Sequence, residues 1–124
     1  MPNQFHSIYA HDFLRVAVCV PELRVADPAF NTGKLIELAR QASDGGAAGT
    51  PFPELCISAY SNEDLFHQDA LLEASIDGVR EVVRQSEDLF SVLIVGAPLR
   101  FDGKLFNCAV VIYRGEVLGL VPKS

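Results

Sequence analysis

The sequence predicts an α/β fold, in which helices cover a sheet built in the order β-α-β-α-β-β-β. A Val-rich apolar run, two segments with helical apolar spacing and three apolar runs joined by tight turns are the observations that predict it. Strands that alternate with helices favour parallel pairing, whereas strands joined by short turns favour an antiparallel meander. No repeat or linker interrupts the order, so residues 1–124 are expected to form one domain.

The first half predicts a strand, a helix and a short second strand. Residues 13–20 alternate and are rich in Val, which predicts a buried strand. The helix is predicted to start with Asp27 as N-cap and Pro28 at its first position, and a glycine pair ends it. Residues 47–55 predict the second strand, in which Pro51 lacks a ladder donor and belongs at an edge or a strand end.

The second half predicts one helix and three strands. Residues 69–87 form the helix, with one apolar face made by Leu72, Ile76, Val79 and Val83. Residues 91–99 are a continuous apolar run, which is typical of a strand buried on both faces. The pairs Asp102-Gly103 and Arg114-Gly115 predict hairpin turns into the last two strands, 105–113 and 116–121. The chain stops directly after a strand signal, so we expect a fragment.

Composition and charge exclude several classes of function. The net charge is −6, and the ten basic residues are scattered, which does not suit a nucleic-acid partner. No stretch approaches the roughly 20 apolar residues of a membrane span, and the first residues lack the features of a signal peptide. We therefore expect a cytoplasmic protein that binds neither nucleic acid nor membrane.

The cysteines and histidines predict neither a disulfide framework nor a metal site. Cys19, Cys56 and Cys108 are odd in number and far apart, and each lies in an apolar run, as a small buried hydrophobe would. The three histidines, which are His6, His11 and His67, share no helical i, i+4 spacing. A metal-free site is expected.

Glu54 is the first candidate for chemistry. It lies at the end of a predicted strand of an α/β sheet, where such folds place ligand crevices, and Pro53 restricts the backbone before it. A carboxylate needs a partner for acid or base work, and Lys123, at the end of the last predicted strand, is one candidate. The spacing alone favours a solvated lysine at position 123. Cys56 is a second candidate partner, although core packing explains it better.

Two motifs carry a resemblance to a known family. "FPELCISAY", which contains Glu54, and "GEVLGLVPKS", which contains Lys123, resemble motifs of the nitrilase or carbon-nitrogen hydrolase superfamily. "SAYSNEDLFHQDALL" and "VGAPLRFDGKLFNCAVVIYRGEVLGLVPKS" narrow the resemblance to the N-terminal glutaminase domain of bacterial glutamine-dependent NAD synthetases. The resemblance implies the first part of a nitrilase-like four-layer α-β-β-α sandwich.

The resemblance also implies a Glu-Lys-Cys triad that releases ammonia from glutamine. Glu54 corresponds to the general base and Lys123 to the lysine that stabilises the oxyanion. Tyr60 corresponds to an aromatic residue near the substrate, although a core position suits it equally well. The family's nucleophilic cysteine follows the lysine, so the chain ends before it and is expected to be inactive alone. Thr50 and Pro51 replace the β-branched apolar residues usual in the family, which puts the ladder of this strand in doubt.

The resemblance implies further partners for the whole protein. A synthetase domain, absent from this chain, would use ATP and magnesium to amidate deamido-NAD, and the protein is expected to be a homo-oligomer. Two alternatives stay open: an amidase or carbamoylase of the same superfamily without a synthetase domain, and a non-catalytic fragment that self-associates through its exposed sheet edges.

Overall fold

The computed structural model describes residues 15–24, 27–53 and 69–123, and it shows the predicted α/β architecture. Two helices lie on one side of a four-stranded sheet whose strand order is β1-β2-β3-β4. The helices and strands are α1 (Pro28–Asp44), β1 (Gly49–Pro51), α2 (Asp69–Gln85), a 3₁₀ turn (Ser86–Asp88), β2 (Val92–Phe101), β3 (Lys104–Tyr113) and β4 (Glu116–Lys123).

Helix α1 begins where the sequence predicts. The Asp27 side chain accepts a hydrogen bond from the Phe30 amide at 3.2 Å, and Pro28 occupies the first turn, where no intrahelical donor is needed. The inner face of α1 places Leu35 and Ala39 in the core, and both are fully buried. The chain leaves α1 at Gly45, as the glycine pair predicts.

Helix α2 packs on α1 as well as on the sheet, and its apolar face differs from the predicted one. Leu72 is buried as predicted, but Ile76, Val79 and Val83 are only half-buried. Val79 and Val83 nevertheless pack against the core, so the predicted face is confirmed for these two residues and for Leu72, whereas close packing against α1 adds small buried residues to it. The buried positions of α2 are Leu71, Leu72, Ser75, Gly78 and Val82.

The sheet changes from parallel to antiparallel pairing along the chain, as predicted. β1 pairs with β2 in parallel, and β2, β3 and β4 form an antiparallel meander. Asp102 and Gly103 make the first turn with φ of 49° and 74°, the left-handed values that a two-residue hairpin requires. The Arg114-Gly115 turn has the same property. Strand β2 is buried over consecutive residues from Val95 to Pro98, in accord with its continuous apolar run.

The first predicted strand is hydrogen-bonded to the sheet but is not buried. Within residues 15–20, the Ala17 amide donates to the Gly49 carbonyl at 3.0 Å, and a single parallel bridge joins Val16 to Gly49. Val16, Val18 and Val20 are 59%, 75% and 78% exposed. The predicted burial was therefore wrong. Cys19 packs against the core, whereas the Val side chains on the other face of this segment are exposed. Residues 13 and 14 of this prediction lie outside the described residues.

The core lies between the helices and one face of the sheet. Leu93, Val95 and Ala97 alternate along β2 and pair with Ile112, Val110 and Cys108 of β3, so all six face α1 and α2. Neither face of strand β4 is covered as fully as the inner faces of β2 and β3. Its exposed apolar residues are Val117, Leu118, Leu120 and Val121.

We expect the 124-residue chain to self-associate. Leu118 and Val121 are 58% and 59% exposed on a strand that pairs on one side only in the described sheet, and an apolar edge of this kind is a template for further pairing. Sedimentation velocity at two concentrations measures the association. Val121→Lys should shift the distribution towards monomer, whereas Glu73→Lys, on the exposed side of α2, should not. A compact monomer at high concentration would contradict the prediction.

Candidate active site

The candidate site lies at the edge of the sheet where β1, β2 and β4 end. β1 runs parallel to β2, and β4 runs parallel to β2 because each is antiparallel to β3. The carboxyl ends of these strands therefore share one edge, and ligand crevices of open α/β sheets lie at such edges. Glu54 follows β1 in the sequence, and Lys123 is the last residue of β4.

The strand register places the end of β4 beyond the end of β1 along the sheet. Pro51 pairs with Ile94 of β2, whereas Lys123 pairs with Asn107, which in turn pairs with Pro98 of β2. Pro98 is four residues beyond Ile94, about 13 Å along the strand. The chain continues past Pro51 in that direction, because the Phe52 amide donates to the Ile94 carbonyl at 2.9 Å.

The predicted site residues are only partly described. The backbone of Lys123 is in β4, but its side chain is not described, and Glu54, Cys56 and Tyr60 lie outside the described residues. β1 and β4 are three strand spacings, about 14 Å, apart across this edge. Two residues at that separation act on one substrate only if both long side chains are directed at the space between them. That Glu54 and Lys123 do so stays a prediction.

Strand β1 is short, and polar contacts as well as apolar packing hold it. The hydrogen-bonded ladder between β1 and β2 exists, although the residue types of Thr50 and Pro51 had put it in doubt. It spans three residues and ends at Pro51, which has no amide to donate. Thr50 is fully buried, and its hydroxyl lies 2.6 Å from the hydroxyl of Ser91, which is also fully buried. Phe52 follows into the core and is 8% exposed.

Neither described cysteine has the properties of a nucleophile. Cys108 is 1% exposed within the sheet, and Cys19 is half-buried against the core. Burial raises the pKa of both thiols, which lowers the fraction of thiolate at neutral pH. Both residues therefore act as small core hydrophobes, as the sequence predicts.

One depression of the described residues lies away from the strand ends. It is a groove of about 480 Å³ between the helices, and no residue of the sheet lines it. Its lining residues are Ala29, Thr32, Gly33, Ile36, Ala74, Asp77, Gly78 and Glu81. Asp77 and Glu81 pair with Arg80 and Arg84 of their own helix at 3.3 and 2.6 Å, so their carboxylates are already compensated.

The described part of the chain offers neither a metal cluster nor a membrane helix. No three His, Cys, Asp or Glu side chains come together there as metal ligands. No helix in residues 27–53 or 69–123 is long and apolar enough to cross a membrane. His6, His11 and His67 lie outside the described residues.

Two buried polar contacts were missed by reasoning from the sequence. The Thr50–Ser91 pair joins residues 41 positions apart, and no local pattern links them. Asn31 is fully buried in α1 and holds the preceding loop, because its side-chain amide accepts from the Arg24 amide at 2.6 Å and donates to the Arg24 carbonyl at 2.8 Å. A buried Asn in a helix interior is uncommon, and that position was the available signal.

Curated relatives are similar to almost the whole chain, but the chain spans only about a fifth of their length. The chain is 50% identical over 120 residues to the glutamine-dependent NAD(+) synthetase of Mycobacterium bovis. This match covers 97% of this chain and 18% of the relative. It is 48% identical, with the same coverage, to the synthetase of Mycobacterium leprae.

Solved structures share the fold. The glutamine-dependent NAD(+) synthetase from Cytophaga hutchinsonii superposes with a TM-score of 0.81 at 26% identity, over 90% of this chain and 19% of that one. The synthetase from Acinetobacter baumannii, solved with ADP, superposes with a TM-score of 0.76 at 30% identity. The match covers 89% of this chain and 20% of that one. An amidase from Nesterenkonia sp. superposes with a TM-score of 0.71 at 23% identity, over 89% of this chain and 42% of that one. At this identity the likeness supports the fold alone.

These likenesses confirm the predicted fold class and family. The helix layer and mixed sheet are the first part of the nitrilase-like α/β fold, as the superpositions show. The carbon-nitrogen hydrolase profile matches residues 15–123, which is most of the chain. The chain therefore belongs to the carbon-nitrogen hydrolase family.

Proposed function

We propose that this chain is the N-terminal portion of the glutaminase domain of a glutamine-dependent NAD synthetase. The observation that carries the proposal is the 50% identity over 97% of the chain to relatives of that name. The sheet supports it, because β1, which precedes Glu54 in the sequence, and β4, which ends at Lys123, end at one edge. The longer protein would release ammonia from glutamine and use it to amidate deamido-NAD at the expense of ATP.

The proposed chemistry uses two residues of this chain and one beyond it. Glu54 takes the proton of a cysteine thiol that follows Lys123 in the longer protein, and the thiolate attacks the side-chain amide carbon of glutamine. The Lys123 ammonium stabilises the negative oxygen of the tetrahedral intermediate. Ammonia leaves with a proton returned by Glu54, and water then attacks the thioester to give glutamate and the free thiol. Tyr60 contacts the substrate.

Other partners are assigned to the rest of the longer protein. ATP, magnesium and deamido-NAD would bind in a synthetase domain, and we assign no residue of this chain to them. The protein would be cytoplasmic and homo-oligomeric. Glutamine is the partner that this chain would contact directly.

An amidase without a synthetase domain is the second candidate. The motifs around Glu54 and Lys123 resemble the superfamily as a whole and therefore fit such an amidase as well. The amidase from Nesterenkonia sp. is 23% identical, whereas the relatives named as synthetases reach 50%. The sequence identity therefore favours the synthetase.

The test is ammonia release by the full-length protein that contains this segment. We expect it to hydrolyse glutamine and to form NAD from deamido-NAD with ATP. The 124-residue chain alone should release no ammonia, because the triad's nucleophile is missing. Hydrolysis of simple amides without NAD formation would support the amidase instead. Steady glutamine hydrolysis by the isolated chain would contradict the triad.

A further inference from the structure

Thr50 and Ser91 form a polar contact inside an otherwise apolar part of the core. Both residues are fully buried, and their hydroxyl oxygens are 2.6 Å apart. Thr50 is the central residue of β1 and pairs with Leu93, two residues after Ser91. A buried hydroxyl is costly unless it is hydrogen-bonded, so each residue supplies the partner that the other needs. The contact thus joins β1 to the start of β2.

The Ser91 side of this contact is fixed to the interior of the sheet. The Phe90 amide donates to the Ser43 hydroxyl near the end of α1 at 2.7 Å, and the Val92 amide donates to the Ala48 carbonyl at 2.8 Å. Strand β2 then pairs with β1 on one side and with β3 on the other. Thr50 is therefore tied to one of the most constrained parts of the described sheet.

The backbone that leads from Thr50 towards residue 54 is stiff. The rings of Pro51 and Pro53 fix φ at two positions. Thr50 and Phe52 each precede a proline and are restricted for that reason. Phe52 is also buried and donates to the Ile94 carbonyl. Because four consecutive residues have little freedom, a displacement of Thr50 is passed along the chain instead of being absorbed.

We propose that Thr50 and Ser91 are positioning residues, which hold the end of β1 in register so that Glu54 is presented to the substrate. The inference rests on the proposed function of Glu54 as the general base. It assigns to the hydroxyl pair a role in addition to that of the ladder of β1, which spans only three residues. Small displacements of a catalytic group lower the rate steeply.

The experiment compares matched variants in the full-length protein, with kcat and KM for glutamine hydrolysis and the thermal midpoint as readouts. Thr50→Val keeps the shape and removes the hydroxyl, and we expect kcat to fall about tenfold with KM changed less than about twofold. Thr50→Ser keeps the hydroxyl and should retain kcat. The control is Thr32→Val, which removes another buried threonine hydroxyl, one without a partner among the described residues. It should leave kcat unchanged.

Further variants keep the proposal open to refutation. If Thr50→Val does not fold, Ser91→Ala removes the same contact from the other side and should lower kcat similarly. The double variant should lose no more than the worse single one, because the pair acts as a unit. A lowered thermal midpoint with unchanged kcat in Thr50→Val would overturn the proposal. Failure of the proposed function is distinct: there the unmodified protein would show no glutamine hydrolysis that depends on Glu54.

Discussion

Replacement of Glu54 by Gln in the full-length protein is expected to reduce glutamine hydrolysis by about 10²–10⁴-fold, the range for loss of a positioned general base. Gln keeps the size of the side chain but cannot accept the thiol proton. The nucleophile would then lack the base that takes its proton, so less of the attacking thiolate would form. Initial rates of ammonia release at saturating glutamine measure the effect.

The control for Glu54→Gln separates loss of the base from loss of the fold. NAD formation with free ammonia does not use the glutaminase reaction, so it should proceed at the unmodified rate. Glu87→Gln changes an exposed carboxylate on the 3₁₀ turn, which precedes β2 and is therefore at the other end of that strand. It should leave both activities unchanged. A Glu54→Gln protein with undiminished glutamine hydrolysis would remove Glu54 from the mechanism.

Replacement of Lys123 by Met is expected to lower glutamine hydrolysis by about 10²–10³-fold, the range for loss of one oxyanion donor. Met has similar length but carries no charge, so the negative oxygen of the tetrahedral intermediate would lose its counter-charge. Because that interaction is made in the transition state, kcat should fall much more than KM rises. Steady-state kinetics of ammonia release distinguish the two parameters.

The matched control for Lys123→Met is Arg114→Met. Arg114 is an exposed basic residue of the turn between β3 and β4, at the opposite end of β4 from Lys123. Its replacement should leave kcat and KM unchanged. Equal losses in the two variants would mean that general surface charge, and not an oxyanion contact at Lys123, explains the effect.

Local signals predicted most of the elements because each rests on neighbours in the chain. Asp27 caps α1 through the Phe30 amide three residues later, and Asp102-Gly103 adopts the left-handed turn that its residue types favour. The change from parallel to antiparallel pairing followed in the same way from the lengths of the connections. The position of Lys123 at the end of β4 could be predicted for the same reason, whereas the approach of Glu54 and Lys123 to one substrate stays a prediction.

The sequence by itself determined the order of helices and strands, the family motifs and the net charge of −6. Only the tertiary structure decided which side of each element is covered. The alternation that predicted a buried first strand is the same whether both faces or one face are covered, and Val18 is exposed because the helices pack on one side only. The Thr50–Ser91 contact was likewise decided by packing, since residues 41 positions apart meet only when β1 and β2 pair.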